Sequence, residues 1–146
     1  MLKSVTLSNN NQLELTPLTI LTGSNNSGKT TVLKIIAALP NTEYVNTNRE
    51  QLITPHHVQK SVNKWLNRMG LENLKSAGAR YVFPILIAGT QLKKGQTLIV
   101  ENPEIFLHPK NQMELADFFF SLVNKNRQVI IETHSDHIIN RVLRRV

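Results

Sequence analysis

The sequence contains no cysteine, so neither a disulfide framework nor a thiolate metal site can hold it together, and an intracellular setting fits best. Its 146 residues must rely on an apolar core, and a chain of that length buries roughly two-thirds of its unfolded surface as one domain. No apolar run approaches a membrane span, and Met1-Leu2-Lys3 leads into alternating residues instead of a secretory core, so the expectation is a soluble, cytoplasmic protein with no membrane partner. Tryptophan occurs once, and Trp65 falls at helical spacing with Val58, Val62, Leu66 and Met69, which makes it a core anchor before it is a stacking platform for a base. Acidic residues are few, 10 against 17 lysines and arginines, and the resulting charge of +7 attracts polyanions without choosing among them. The densest basic cluster is Arg141, Arg144 and Arg145, on a helix whose other side carries Ile138, Ile139, Val142 and Val146. It reads either as a solvated helix face or as a nucleic-acid contact.

What is present centres on residues 18–31. Leu18, Ile20 and Leu21 form an apolar strand, Gly23-Ser24-Asn25-Asn26-Ser27-Gly28-Lys29-Thr30 fits G-x-x-x-x-G-K-[ST], and Thr31 leads into Val32, Leu33, Ile35, Ile36 and Leu39 at helical spacing. The two glycines let consecutive N–H groups turn inward as an anion nest at a helix N-terminus. Lys29 is then placed to reach the β- and γ-phosphates of a nucleotide, and the Thr30 hydroxyl to ligate the Mg²⁺ bridging them.

Around this loop the chain reads as a hairpin over residues 2–15, the strand 18–22, a helix from 29 to about 39 stopped by Pro40, and a polar loop from 40 to 57. His56-His57 within that loop has no carboxylate at ligand spacing, so exposed polar residues are a better reading than a metal site. A helix follows from Val58 to Met69, then a polar link containing Ser76, Gly78 and Arg80. Tyr81 to Ala88 is apolar, with Pro84 expected in a first helical turn. Thr97-Leu98-Ile99-Val100 and Val129-Ile130-Ile131 read as strands buried on both faces, with helices at 109–124 and from about Ser135. This alternation predicts a mainly parallel, doubly wound α/β sheet, in which ligands sit at the carboxyl ends of strands; Gly23, Glu101 and His134 stand at such ends.

A carboxylate closing an apolar strand, in a chain with a phosphate loop, is the second half of a Mg²⁺-nucleotide site, and Glu101 is the natural metal ligand, with Glu104 one short turn on. Here Glu101-Asn102-Pro103-Glu104-Ile105-Phe106-Leu107-His108-Pro109 resembles the acid-x-Pro-Glu-x-x-Leu-His-Pro motif of ABC-class P-loop ATPases close to SMC-type heads. It is similar in particular to the overcoming-lysogeny-defect nucleases and the ATPases of bacterial anti-phage systems. Glu132-Thr133-His134-Ser135-Asp136-His137 is similar to their switch-histidine segment. The resemblance implies that His134 contacts the γ-phosphate and that two heads pair around two Mg-ATP, each completing the other's site. It covers about two-thirds of the chain, from hairpin to phosphate loop, the Trp65-Leu66 helix, and Gly78 onward.

The departures are informative. The family's long helical insertion and its Mg²⁺-sensing glutamine have no clear counterpart; residues 40–57 stand as a reduced insertion, and Gln51 or Gln59 would be guesses. Arg80 occupies the signature position where the family offers a serine to a partner's γ-phosphate, and there it is either an arginine finger in trans or a surface arginine. Asn102 replaces the glutamate that accepts a proton from water, leaving Glu104 or Asn102 to orient the attacking water. No nuclease domain follows the switch-histidine helix within these residues.

The expectation is therefore one ABC/AAA-like ATPase domain, residues 1–146, of P-loop NTPase fold, slowly hydrolysing ATP and pairing as an ATP-dependent homodimer. A DNA or nuclease partner would supply the effector in DNA processing or anti-phage defence. Two rivals stand beside it. One is a nucleotide-gated module, binding nucleic acid or protein, with negligible turnover. The other is a phosphotransferase, disfavoured because residues 40–57 supply only Arg49 to an acceptor lid.

Overall fold

A computed structural model describes residues 1–7, 9–23, 28–51, 53 and 58–145. The chain opens with β1 (Ser4–Thr6) and β2 (Gln12–Glu14), paired antiparallel with Val5 opposite Leu13, the expected hairpin. There follow β3 (Leu18–Leu21), α1 (Lys29–Ala37), β4 (Thr42–Val45), α2 (Lys60–Arg68), α3 (Ala77–Gln91), β5 (Thr97–Glu101), α4 (Pro109–Val123), β6 (Gln128–Glu132) and α5 (Asp136–Arg145). Strands β3, β6, β5 and β4 lie side by side in that order, all parallel.

The sheet is covered on both faces, which explains why β5 and β6 read as unbroken apolar runs. Because successive side chains alternate, Leu98, Val100, Val129 and Ile131 enter one core with residues of α2, α3 and α4, while Ile99 and Ile130 enter the other with Leu33 and Ile36 of α1 and Val5 and Leu15 of the hairpin segment. Trp65 is buried against Phe118, ring centroids 5.3 Å apart, as a core anchor. Gln128, buried at the start of β6, joins hairpin and sheet: its Oε1 accepts from Leu2 N (2.9 Å) and Thr97 Oγ1 (2.8 Å), and its Nε2 donates to the Leu2 and Thr16 carbonyls.

Three expectations need correction. Residues 40–57 are not simply a loop, since β4 lies within them and pairs with β5, Val45 opposite Val100. An edge strand with one half-exposed side carries no apolar run, and this one hid behind threonine, glutamate and tyrosine. The link at Ser76 is the N-cap of α3, its Oγ accepting from Ala79 N at 3.2 Å, so Pro84 sits well inside the helix instead of in its first turn. Proline has no N–H for the Arg80 carbonyl four residues back. Gln51 N donates to that carbonyl at 3.2 Å, and Arg49 Nε to the next, Tyr81, at 2.7 Å. Third, two arginines of the C-terminal cluster are engaged: Asp117, buried in α4, receives Arg141 Nε and Nη2 (3.1 and 3.0 Å) and pairs with Arg145 at 3.0 Å. Arg144 is the member of the cluster with no ion pair among the described residues. The same face of α5 that carries Ile138 and Val142 inward is thus locked to α4 at its polar margin.

Candidate functional site

The parallel register sets the ends of three neighbouring strands in a row. Leu21, the last residue of β3, is opposite Glu132, which is opposite Glu101, and Gly23 and His134 lie two residues past β3 and β6. Gly23 and Gly28 have φ of +136° and +82°, values that side-chain-bearing residues rarely adopt, and Gly28 is the N-cap of α1. Ser24–Ser27 lie outside the described residues, as do His56 and His57. Thr30 and Thr31 belong to the first turn of α1.

Lys29, at the start of α1, is buried, with its ammonium donating to the Gly23 carbonyl at 2.6 Å and lying 3.2 Å from His134 Nε2. An ammonium has only donors, so in this contact Nε2 is the acceptor. Lys29 and His134, 105 positions apart in the chain, therefore meet. Beside them Glu104 holds the end of β6: its Oε1 accepts from His134 N (2.9 Å) and its Oε2 from Thr133 Oγ1 (3.0 Å).

Asn102 takes a left-handed backbone, φ +45°, which asparagine tolerates better than most residues. Its N–H donates to the Glu132 carbonyl at 2.8 Å, and its side-chain amide to Thr47 Oγ1 at 3.1 Å, which in turn donates to Glu101 Oε1 at 3.0 Å. Below this chain Arg49 is buried. Its guanidinium donates to four carbonyls: Tyr81 (2.7 Å), Asn46 (3.2 Å), Glu101 (2.8 Å) and Asn102 (2.9 Å). Burial pulls its pKa down to about 10, partly opposed by Glu104 and Tyr81, so it stays charged at neutral pH.

Glu101 is pushed up from the ordinary carboxylate range, first by burial and then by Glu132, with Lys34 acting against both. Glu132 is 5% exposed, and its Oε2 has no hydrogen-bond partner. Among the described residues no three His, Cys, Asp or Glu side chains converge, so any metal here is held by few protein ligands. A cavity of about 300 Å³ adjoins Lys29, walled by Leu7, Leu13, Ile20, Val32 and Thr22.

Gly23, Lys29, Glu101, Asn102, Glu104 and His134 thus share one end of the sheet. Arg80 is engaged elsewhere, 2.7 Å from Glu50, with its Nε buried and without a partner. Thr47, Arg49 and Glu132 escaped the sequence reading. For Glu132 a signal existed, because Thr97-Leu98-Ile99-Val100-Glu101 and Gln128-Val129-Ile130-Ile131-Glu132 are the same pattern, one polar residue, three apolar and a glutamate.

Comparison with known proteins agrees with this geometry. Residues 67–139, half of the chain, match the family model described as an AAA ATPase domain. No curated protein matches in sequence. Among solved structures, a chain of a metal-chelate-type ABC transporter in an inward-facing conformation is similar at a TM-score of 0.61 and 16% identity, over 90% of this chain and 68% of that one. At that identity the likeness concerns the fold alone, which is that of a P-loop NTPase.

Proposed function

The chain belongs to the AAA ATPase domain family, and from that premise we propose that it is a head domain which binds Mg-ATP at the β3–β6–β5 strand ends, pairs with a second copy around the nucleotide, and hydrolyses it slowly. One observation carries the reading: Lys29 Nζ stands between the Gly23 carbonyl and His134 Nε2. An ammonium has three donors and this one has two partners among the described residues, so a γ-phosphate entering between Lys29 and His134 would accept from Lys29, and from His134 when Nε2 carries the proton.

The remaining roles follow from position. Gly28, the N-cap of α1, and the first turn of that helix would offer N–H groups to the β-phosphate. Glu101 and Thr30 fit Mg²⁺, which favours one or two carboxylates plus phosphate oxygens. When bound, the ion neutralises charge on the β- and γ-oxygens. Thr47 holds Glu101 in orientation. Glu104 is the candidate to take the proton of the attacking water as the bond from the γ-phosphorus to the bridging oxygen breaks, since it already lies against His134. Arg80 would have to leave Glu50 to reach a partner's nucleotide in trans. A DNA-processing or anti-phage setting, with DNA or a nuclease as partner, fits the motifs and the +7 charge.

A second reading, a nucleotide-gated interaction module with negligible turnover, is favoured by two features. Asn102 is not a base, and both Glu104 oxygens already accept hydrogen bonds. Equilibrium binding of a fluorescent ATP analogue together with phosphate release separates the two. Lys29→Ala, with its fold checked by circular dichroism, should lose ATP affinity; Glu104→Gln should keep it while slowing phosphate release about 10²-fold or more. Unchanged affinity in folded Lys29→Ala would refute the site, and no release from the wild type with tight ATP binding would favour the module.

A further inference from the structure

β5 and β6 end together in carboxylates whose positions the register makes equivalent, Glu101 opposite Glu132. Strand alternation gives both the same facing as Ile99 and Ile130, toward the side of the sheet where α1 packs. Neighbouring strands are about 4.8 Å apart, so two glutamates in that relation can reach one ion. They do not satisfy each other. Glu132 is almost wholly buried, its Oε2 has no partner, and among the described residues no lysine, arginine or histidine forms an ion pair with it. An isolated buried carboxylate is expensive to keep unless something cationic compensates it. A residue needed only to end a strand in water would be exposed, as Glu132 is not. Glu101, by contrast, has one oxygen fixed by Thr47.

We propose that Glu132 is a second carboxylate of the metal site, and that the Glu101–Glu132 pair binds a divalent cation before nucleotide arrives. This rests on the ATPase reading for the location of the metal and adds a ligand to it. One carboxylate and a hydroxyl hold Mg²⁺ weakly without phosphate oxygens, whereas two adjacent carboxylates supply both charge and coordination. The protein would then meet ATP with its metal in place, and the orphaned Glu132 oxygen acquires a function.

The test uses the whole chain without nucleotide and Mn²⁺ as the probe, following loss of the free-Mn²⁺ electron paramagnetic resonance signal. The wild type should take up one Mn²⁺ per chain and melt at higher temperature in its presence. Glu132→Gln, isosteric and relieved of a buried charge, should fold yet bind Mn²⁺ at least about tenfold more weakly and lose the thermal shift. Glu101→Gln should do the same. No uptake by the wild type up to millimolar Mn²⁺, or equal uptake by Glu132→Gln, overturns the proposal. ATP binding, measured in the same preparation with Mg²⁺, tells the two failures apart: normal ATP binding with no Mn²⁺ uptake would overturn the second-carboxylate assignment and leave the ATPase reading standing.

Discussion

Removing Arg49 tests whether the segment after β4 acts as a strut beneath the site. Its guanidinium joins three parts of the chain, with hydrogen bonds of 2.7 Å to Tyr81 in α3, 3.2 Å to Asn46, and 2.8 and 2.9 Å to Glu101 and Asn102. Hydrogen bonds from a charged donor contribute about 1.5–3 kcal/mol each, although the Asn102 carbonyl keeps a second donor in Ile105 N at 3.3 Å. The four do not add, because losing the side chain also recovers the desolvation of a buried cation. Arg49→Ala should therefore cost about 3–5 kcal/mol, in the range seen when one partner of a buried charged network is removed. For a domain of this size that lowers the melting temperature by about 10–15 °C. Arg49→Lys is the sharper variant: a single ammonium cannot span carbonyls on opposite sides as a planar fork does, so it should recover less than half of the loss. Urea unfolding followed by circular dichroism measures both. A cost below about 1 kcal/mol for Arg49→Ala, or an Arg49→Lys variant as stable as wild type, would refute the strut.

Three further outcomes are expected. Sedimentation with a non-hydrolysable ATP analogue should show dimers, weakened by Arg80→Ala only in the nucleotide-bound state; a monomer at every concentration argues against paired heads. Asp117→Ala should destabilise by about 1–3 kcal/mol in urea unfolding, because it frees the arginines that fasten α5 to α4, whereas Arg144→Ala should have no measurable effect. Asn102→Glu should retain ATP binding and, if position 102 faces the attacking water, raise the rate of phosphate release, at some cost in stability, since glutamate suits φ +45° less well than asparagine; an unchanged rate would place the water out of reach of position 102.

The sequence by itself determined whatever a segment's own burial or backbone demands write into it. Gly23 and Gly28 mark a phosphate loop because their positive φ requires glycine, and β3, β5 and β6 are legible as apolar runs because parallel strands are covered on both faces. Glu101 and His134 could be placed at strand ends for the same reason, since the runs that precede them end there. Tertiary structure decided what depends on groups far apart in the chain. β4 is a strand because β5 offers it an edge, not because its own four residues insist. Pro84 is tolerated inside α3 because Gln51 supplies the hydrogen bond it cannot. Arg49 looked like one lone cation in a polar stretch, and only packing brings four carbonyls to it. Arg141 and Arg145 looked free until α5 docked beside Asp117. Glu132 looked like the polar end of a strand, and it becomes half of a carboxylate pair only through the register of β5 with β6, because a periodic pattern records which face a residue occupies but not which residue lies opposite.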